Sequence, residues 1–179
     1  MEHDDMEQIL EVRADRRQIG TDGSTVRHLR VTVRAPERED AASRPEARVA
    51  FVIDRSGSMG KTKLSLACQA VSHALGLLNE GDRFAVVAYD DEVEVLVPAG
   101  RATRDAVEHA RIRLDLLTAD GSTFLSGGWL AGCDQLREGG APVRCLLLTD
   151  GLANRGVLDS EALCARAAQE LSEGVRTTT

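Results

Sequence analysis

Hydrophobic and polar positions divide the chain into two parts with different patterns. In the first part, residues 9–12 and 26–33 have the β-branched and alternating composition of strands, and the turn cluster 20–24 separates them. Residues 36–45 are charged and small, which is typical of a linker. The pattern therefore predicts that residues 1–47 are a small β-rich N-terminal extension.

The second part has continuous apolar runs instead. Those at 49–53, 84–89 and 143–148 are typical of strands that are buried on both faces of a parallel sheet. A further segment, 92–97, alternates apolar and polar side chains as an edge strand does, and Pro98 and Gly100 are expected to end it.

Between these strands, apolar residues recur at steps of three and four, which predicts amphipathic helices. The helical segments lie at 64–78, 107–117, 125–136 and 163–171. Strands that alternate with helices predict an α/β fold with an open, mostly parallel, Rossmann-like sheet and helices on both faces. Residues 174–179 follow a helix stop with β-branched side chains and predict the start of a further strand.

Composition and charge narrow the possible partners. The net charge of -7 does not provide the basic footprint that nucleic acid requires, and aromatic residues, at 3%, are too few for base stacking. No stretch approaches the ~18 consecutive apolar residues of a membrane span. The acidic N-terminus does not have the pattern of a secretory signal, and no two cysteines form a CxxC pair. We therefore expect a cytoplasmic protein that binds neither nucleic acid nor membrane.

Carboxylate and hydroxyl side chains follow the ends of predicted buried strands. Asp54, Ser56 and Ser58 follow the first of these strands, Asp150 follows the last, and Thr123 stands in a loop ahead of the third helix. Ligands of open α/β sheets bind at the carboxyl ends of strands, so these side chains converge if the two strands are neighbours. A donor set of oxygens with two carboxylates suits Mg²⁺ or Mn²⁺ better than Zn²⁺.

The order Asp54-Arg-Ser56-Gly-Ser58, then Thr123, then Asp150 resembles the DxSxS…T…D signature of von Willebrand factor type A (vWA) domains. The resemblance implies a metal-ion-dependent adhesion site (MIDAS), in which the two serines and the threonine ligate Mg²⁺ directly or nearly so. The two aspartates would act mainly through bridging waters. A vacant coordination position would accept an Asp or Glu side chain of a partner protein.

The resemblance covers residues 48–179, which we expect to form a vWA-like domain. In the family, two more strands and a terminal helix normally follow the point that this sequence reaches at Thr179. The resemblance therefore implies a C-terminally incomplete domain. We expect it to dimerise, or to be complemented by a partner, through an exposed sheet edge.

Two other functions stay open from the sequence. A Mg²⁺-dependent hydrolase of phosphate esters would also place an aspartate and a metal after a strand, but it would need a second carboxylate where Ser56 stands. By family analogy, the chain could also be a vWA subunit that docks on a chaperone-type or chelatase-type ATPase. The GxSxG, GxxxxGK[ST] and GxGxxG motifs are absent from the sequence. We therefore expect a binding module rather than an enzyme.

The residues that flank the candidate site have simpler interpretations. We expect Arg55 and Lys63 to be solvated, the first in a loop and the second at a helix start. Asp90 and Asp91 are expected to form a hairpin turn. Trp129 stands at helical spacing from other apolar residues and is expected to lie in the core.

Overall fold

A computed structural model describes most of the chain. The described residues are 10–14, 28–33, 45–137, 142–151, 155–157 and 159–179. The chain divides into two compact units between Arg44 and Pro45.

The N-terminal unit contains a two-stranded antiparallel sheet of β1 (Leu10–Ala14) and β2 (Leu29–Val33). Val12 lies opposite Val31 in this register, so the apolar side chains of both strands share one face. The two predicted strands are confirmed where they are described. The predicted turn 20–24 and nearly all of the predicted linker lie outside the described residues.

The larger unit is an α/β sandwich built on a five-stranded sheet. Its described elements are β3 (Arg48–Asp54), α1 (Gly60–Leu75), β4 (Arg83–Tyr89), β5 (Val93–Arg101), α2 (Arg104–Asp115), α3 (Leu125–Gln135), β6 (Val143–Leu148), α4 (Ser160–Ser172) and β7 (Val175–Thr178). The strand order is β5-β4-β3-β6-β7, and β5 alone in this sheet runs antiparallel to its neighbour. The predicted open, mostly parallel α/β sheet is therefore confirmed.

Each face of this sheet carries its own apolar cluster. Phe51 and Ile53 of β3 pack with α1 and α2, whereas Ala50 and Val52 pack with α3 and α4. None of these four residues is more than 2% exposed. Trp129 of α3 belongs to the second cluster, as expected. Burial on both faces explains why the central strands are continuous apolar runs, since neither set of alternate side chains meets water.

The expectation that Pro98 and Gly100 end the edge strand is wrong, because β5 continues to Arg101. The pairing of β5 with β4 shifts register between the pairs Phe84–Gly100 and Val86–Val97. The proline falls within this irregularity, where a residue without an N–H does not interrupt a regular ladder.

Helix α3 lies close to the sheet because it presents glycines to it. A Cβ added at Gly128 would overlap the ring of Tyr89, and one added at Gly132 would overlap the side chain of Val52. The helix backbone thus packs directly on strands β3 and β4 and fixes the position of the tyrosine ring. None of the described helices is both long and apolar enough to cross a membrane.

Candidate metal-binding site

The candidate site lies where the strand order of the sheet reverses. β3 pairs with β4 on one side and with β6 on the other, and Ile53 is in register with Leu148. The condition for convergence, that these two strands are neighbours, is therefore met. Their carboxyl ends bring Asp54 to the same edge as Thr149 and Asp150, which is the position where open α/β sheets bind ligands.

Asp54 is fully buried and accepts hydrogen bonds on both of its carboxylate oxygens. Oδ1 accepts the backbone N–H of Ser56 at 2.9 Å. Oδ2 accepts the Thr149 hydroxyl at 2.8 Å and the Tyr89 hydroxyl at 3.3 Å. Burial raises the pKa of Tyr89, and the Asp54 carboxylate adds to this effect, so the phenol stays protonated and able to donate. These donors hold the carboxylate in one orientation.

A chain of polar contacts runs from the serines to Asp150 at the end of β6. The Ser56 and Ser58 hydroxyl oxygens lie 3.2 Å apart, and the Ser58 hydroxyl donates to Asp150 Oδ1 at 3.1 Å. Asp150 Oδ2 accepts from the Lys63 ammonium at 2.9 Å, and this ammonium also donates to the Ser58 carbonyl at 3.2 Å. Lys63 is therefore exposed, as expected, but it is also paired with the candidate site.

Thr123 reaches the same region from the loop before α3. The N–H of Gly57 donates to the Gly121 carbonyl at 3.0 Å, and the N–H of Asp120 donates to the Arg55 carbonyl at 2.9 Å. Gly121 has a φ of +70°, which a residue with a Cβ rarely adopts. These bonds join the threonine loop to the loop that carries the serines.

The Thr123 side chain is a buried polar group without a partner among the described residues. It is fully buried, and its Oγ1 forms no hydrogen bond with a described group. A buried hydroxyl without a partner costs about 1–3 kcal/mol, and a cation beside it would use its lone pair. The residues present therefore fit a small divalent ion.

Such an ion would depend on hydroxyl ligands. No group of three or more His, Cys, Asp or Glu within the described part of the chain is placed to hold a metal. The two aspartates and three hydroxyls would give such an ion a hard, all-oxygen donor set of the kind that Mg²⁺ and Mn²⁺ prefer.

The expectation that Arg55 is a solvated loop residue is wrong. Its Nε lies 2.9 Å from Asp90 Oδ2 and its Nη1 lies 3.0 Å from Glu94 Oε2, and its side chain is only 20% exposed. Asp90 also accepts the N–H of Glu92, as a turn residue does, and its carbonyl accepts the N–H of Phe124 at 2.7 Å. The arginine therefore ties the serine loop to the β4–β5 turn.

Two residues that position the site escaped the sequence analysis. Tyr89 and Thr149 both donate to Asp54, but the apolar runs beside them suggested only strand ends. The sequence does place both at strand ends, because Tyr89 is the last residue of the run 84–89 and Thr149 directly precedes Asp150. Polar residues at the carboxyl ends of neighbouring strands meet at one edge.

The sheet topology and the position of the candidate site are those of an α/β domain that binds its ligand at the carboxyl edge of the sheet. Sequence comparison identifies the family. The family model described as the von Willebrand factor type A domain matches residues 49–152. The chain therefore belongs to the von Willebrand factor type A domain family.

The chain is similar to parts of longer proteins. It is 30% identical over 155 residues to the uncharacterized protein YfbK of Escherichia coli (strain K12), covering 84% of this chain and 26% of that protein. It is 30% identical over 143 residues to the human inter-alpha-trypsin inhibitor heavy chain H6, covering 73% of this chain and 11% of that protein. The chain thus spans about a quarter or less of these relatives.

Solved structures share the fold. A von Willebrand factor type A protein from Catenulispora acidiphila is 28% identical with a TM-score of 0.64, over 83% of this chain and 33% of that chain. Proximal thread matrix protein 1 from the mussel byssus, solved with a zinc occupied MIDAS motif, is 18% identical with a TM-score of 0.56. That match covers 74% of this chain and 37% of the mussel protein, and at this identity it shows the fold alone.

Proposed function

We propose that the chain is a protein-binding module that holds Mg²⁺ or Mn²⁺ at a MIDAS and binds an Asp or Glu side chain of a partner protein through it. Membership of the vWA family supports a role in protein interaction. The observation that carries the metal is Thr123 Oγ1, a fully buried hydroxyl for which the described residues provide no partner.

The hydroxyls of Ser56, Ser58 and Thr123 would hold the ion, and Asp54 and Asp150 would hold it mainly through water. The hydrogen bonds of Asp54 support this division, because both of its oxygens already accept donors from the protein. A carboxylate that is oriented in this way balances the charge of an ion without needing to contact it.

A bound metal ion would allow this acidic protein to bind an acidic partner. The chain carries a net charge of -7, so an acidic partner would be repelled by its overall field. A divalent ion that is held mostly by neutral hydroxyls keeps positive charge for a further ligand. When bound, it would act as a Lewis acid that accepts a carboxylate oxygen of the partner.

We also infer that the protein works in the cytoplasm. All four cysteines are free thiols in the structure, and Cys133 and Cys145 are buried. Free thiols of this kind are usual in a reducing compartment.

We further propose self-association or complementation at β7. This strand, Val175–Thr178, is an edge of the five-stranded sheet. An edge strand offers backbone donors and acceptors to another strand.

Metal-dependent capture tests the proposed function. The immobilised protein is incubated with an extract of its own cells in Mg²⁺ or in EDTA, and the bound proteins are identified by mass spectrometry. We expect a partner that binds in Mg²⁺ but not in EDTA, and that Thr123→Val fails to capture. A peptide from the contact region of the partner should lose binding when its acidic residue is changed to the amide.

Two results would contradict this proposal. Capture that is equal in Mg²⁺ and EDTA would show that the binding does not use a metal. Turnover of a generic phosphate ester that is lost in Asp54→Asn would favour the hydrolase instead.

A further inference from the structure

One ion pair at the edge of the site has no role in the function proposed above. Lys63 stands in the first turns of α1 and places its ammonium 2.9 Å from Asp150 Oδ2. The same ammonium donates to the backbone carbonyl of Ser58 at 3.2 Å. This lysine therefore contacts two of the five residues that would surround the metal.

We propose that Lys63 is an internal cation that competes with the divalent ion for Asp150, and so sets the affinity of the site for metal. The inference rests on the proposed metal site and adds its regulation. Without metal, the ammonium neutralises part of the charge of the two site aspartates. When metal binds, the ammonium must leave Asp150 or stay close to a second positive charge.

The charges around Asp150 support this competition. Asp54 ends β3, and Asp150 lies two residues after the end of the neighbouring β6. Together they carry two formal negative charges, and the Lys63 ammonium places one positive charge beside Asp150. The Asp150 side chain is only 11% exposed, so its charge is weakly screened by water. A divalent ion neutralises the same carboxylates with two positive charges. The ammonium is then no longer needed as a counter-charge, and the ion repels it.

The Lys63 ammonium can also separate from Asp150 easily. Its side chain is 57% exposed, and its two described polar contacts are both made by the terminal ammonium. Because the ammonium end is the exposed one, water can solvate it when it leaves Asp150, which lowers the cost of opening the pair. Another positive charge near the site, Arg55, is held by Asp90 and Glu94.

The test compares two lysines of the same helix turn. Lys61 is exposed and forms no ion pair with a described carboxylate, so Lys61→Met removes the same charge without touching Asp150. Mn²⁺ affinity is measured by isothermal titration calorimetry on wild type, Lys61→Met, Lys63→Met and Lys63→Arg, each stripped of metal with EDTA and dialysed. Thermal unfolding of the metal-free proteins is recorded alongside.

We expect Lys63→Met to bind Mn²⁺ about three- to tenfold more tightly than wild type. Its metal-free form should melt at a lower temperature, because Asp150 then loses its ion pair with Lys63. Lys61→Met should stay within about twofold of wild type, since exposed charges are screened. Lys63→Arg should stay close to wild type because it keeps a cation at Asp150. A merely structural lysine would not produce opposite changes in metal affinity and metal-free stability.

The outcomes separate this inference from the proposed function. If wild type binds Mn²⁺ and Lys63→Met binds it no more tightly than Lys61→Met, Lys63 does not compete with the metal. The proposed metal site is then still supported. If Lys63→Met binds Mn²⁺ and wild type does not, the lysine blocks the site and both proposals are supported. If none of the four proteins binds Mn²⁺, the proposed metal site is wrong and the inference falls with it.

Discussion

Thr123→Val is expected to abolish the stabilisation of the protein by Mn²⁺ while leaving the metal-free protein as stable as wild type or more stable by about 1 kcal/mol. The reason is that Thr123 Oγ1 is buried without a described hydrogen-bond partner. Valine has nearly the same shape and removes an unsatisfied polar atom, but it cannot ligate an ion. We expect the affinity for Mn²⁺ to fall by about 100-fold or more.

A second threonine of the site is the matched control. The Thr149 hydroxyl donates to the buried Asp54 carboxylate at 2.8 Å and accepts the N–H of Gly151 at 3.0 Å. Thr149→Val should therefore cost about 1–3 kcal/mol of unfolding free energy even without metal. Urea unfolding of both variants, with and without Mn²⁺, makes the comparison. Equal loss of metal-free stability in the two variants would contradict the assignment of Thr123 as a ligand.

Gly128→Ala is expected to destabilise the protein by about 3 kcal/mol and to weaken metal binding by about tenfold. The added Cβ would overlap the ring and the Cβ of Tyr89, and an overlap so close to the backbone cannot be relieved by rotating a side chain. Displacing this tyrosine removes a hydrogen bond to Asp54. The packing of α3 and the geometry of the site are therefore linked through one ring.

The control for this substitution is Gly81→Ala. A Cβ at Gly81 meets nothing within 4 Å, so alanine there should be neutral or slightly stabilising. Thermal unfolding and Mn²⁺ titration of both variants provide the measurement. A Gly128→Ala protein as stable as wild type would mean that α3 does not rest on the tyrosine ring.

The fold was predictable from the sequence because its central strands are buried on both faces. A run such as 49–53 can be continuous and apolar only where helices cover each side of the sheet, and the intervening periodicity of three and four residues supplies those helices. The edge strand was harder to delimit. That Pro98 lies inside this strand depends on the register shift opposite Phe84 and Val86. This shift is a property of the pairing of two strands and cannot be read from the segment alone.

The five candidate ligands could be named from the sequence because they follow strand ends and match a family signature. The residues that position them could not be recognised in the same way. Tyr89 and Arg55 act through contacts that only the folded sheet creates, one with Asp54 and the other with Asp90 and Glu94. The pairing of Lys63 with Asp150 likewise joins residues far apart in the sequence.

The central claim is that hydroxyls and carboxylates from three separate stretches surround one divalent ion. Electron paramagnetic resonance of free Mn²⁺, titrated with wild type, Thr123→Val and the neighbouring Ser122→Ala, tests it most directly. The account predicts one bound ion per chain for wild type and Ser122→Ala, and loss of that ion in Thr123→Val. Absence of binding by wild type, or undiminished binding by Thr123→Val, would contradict it.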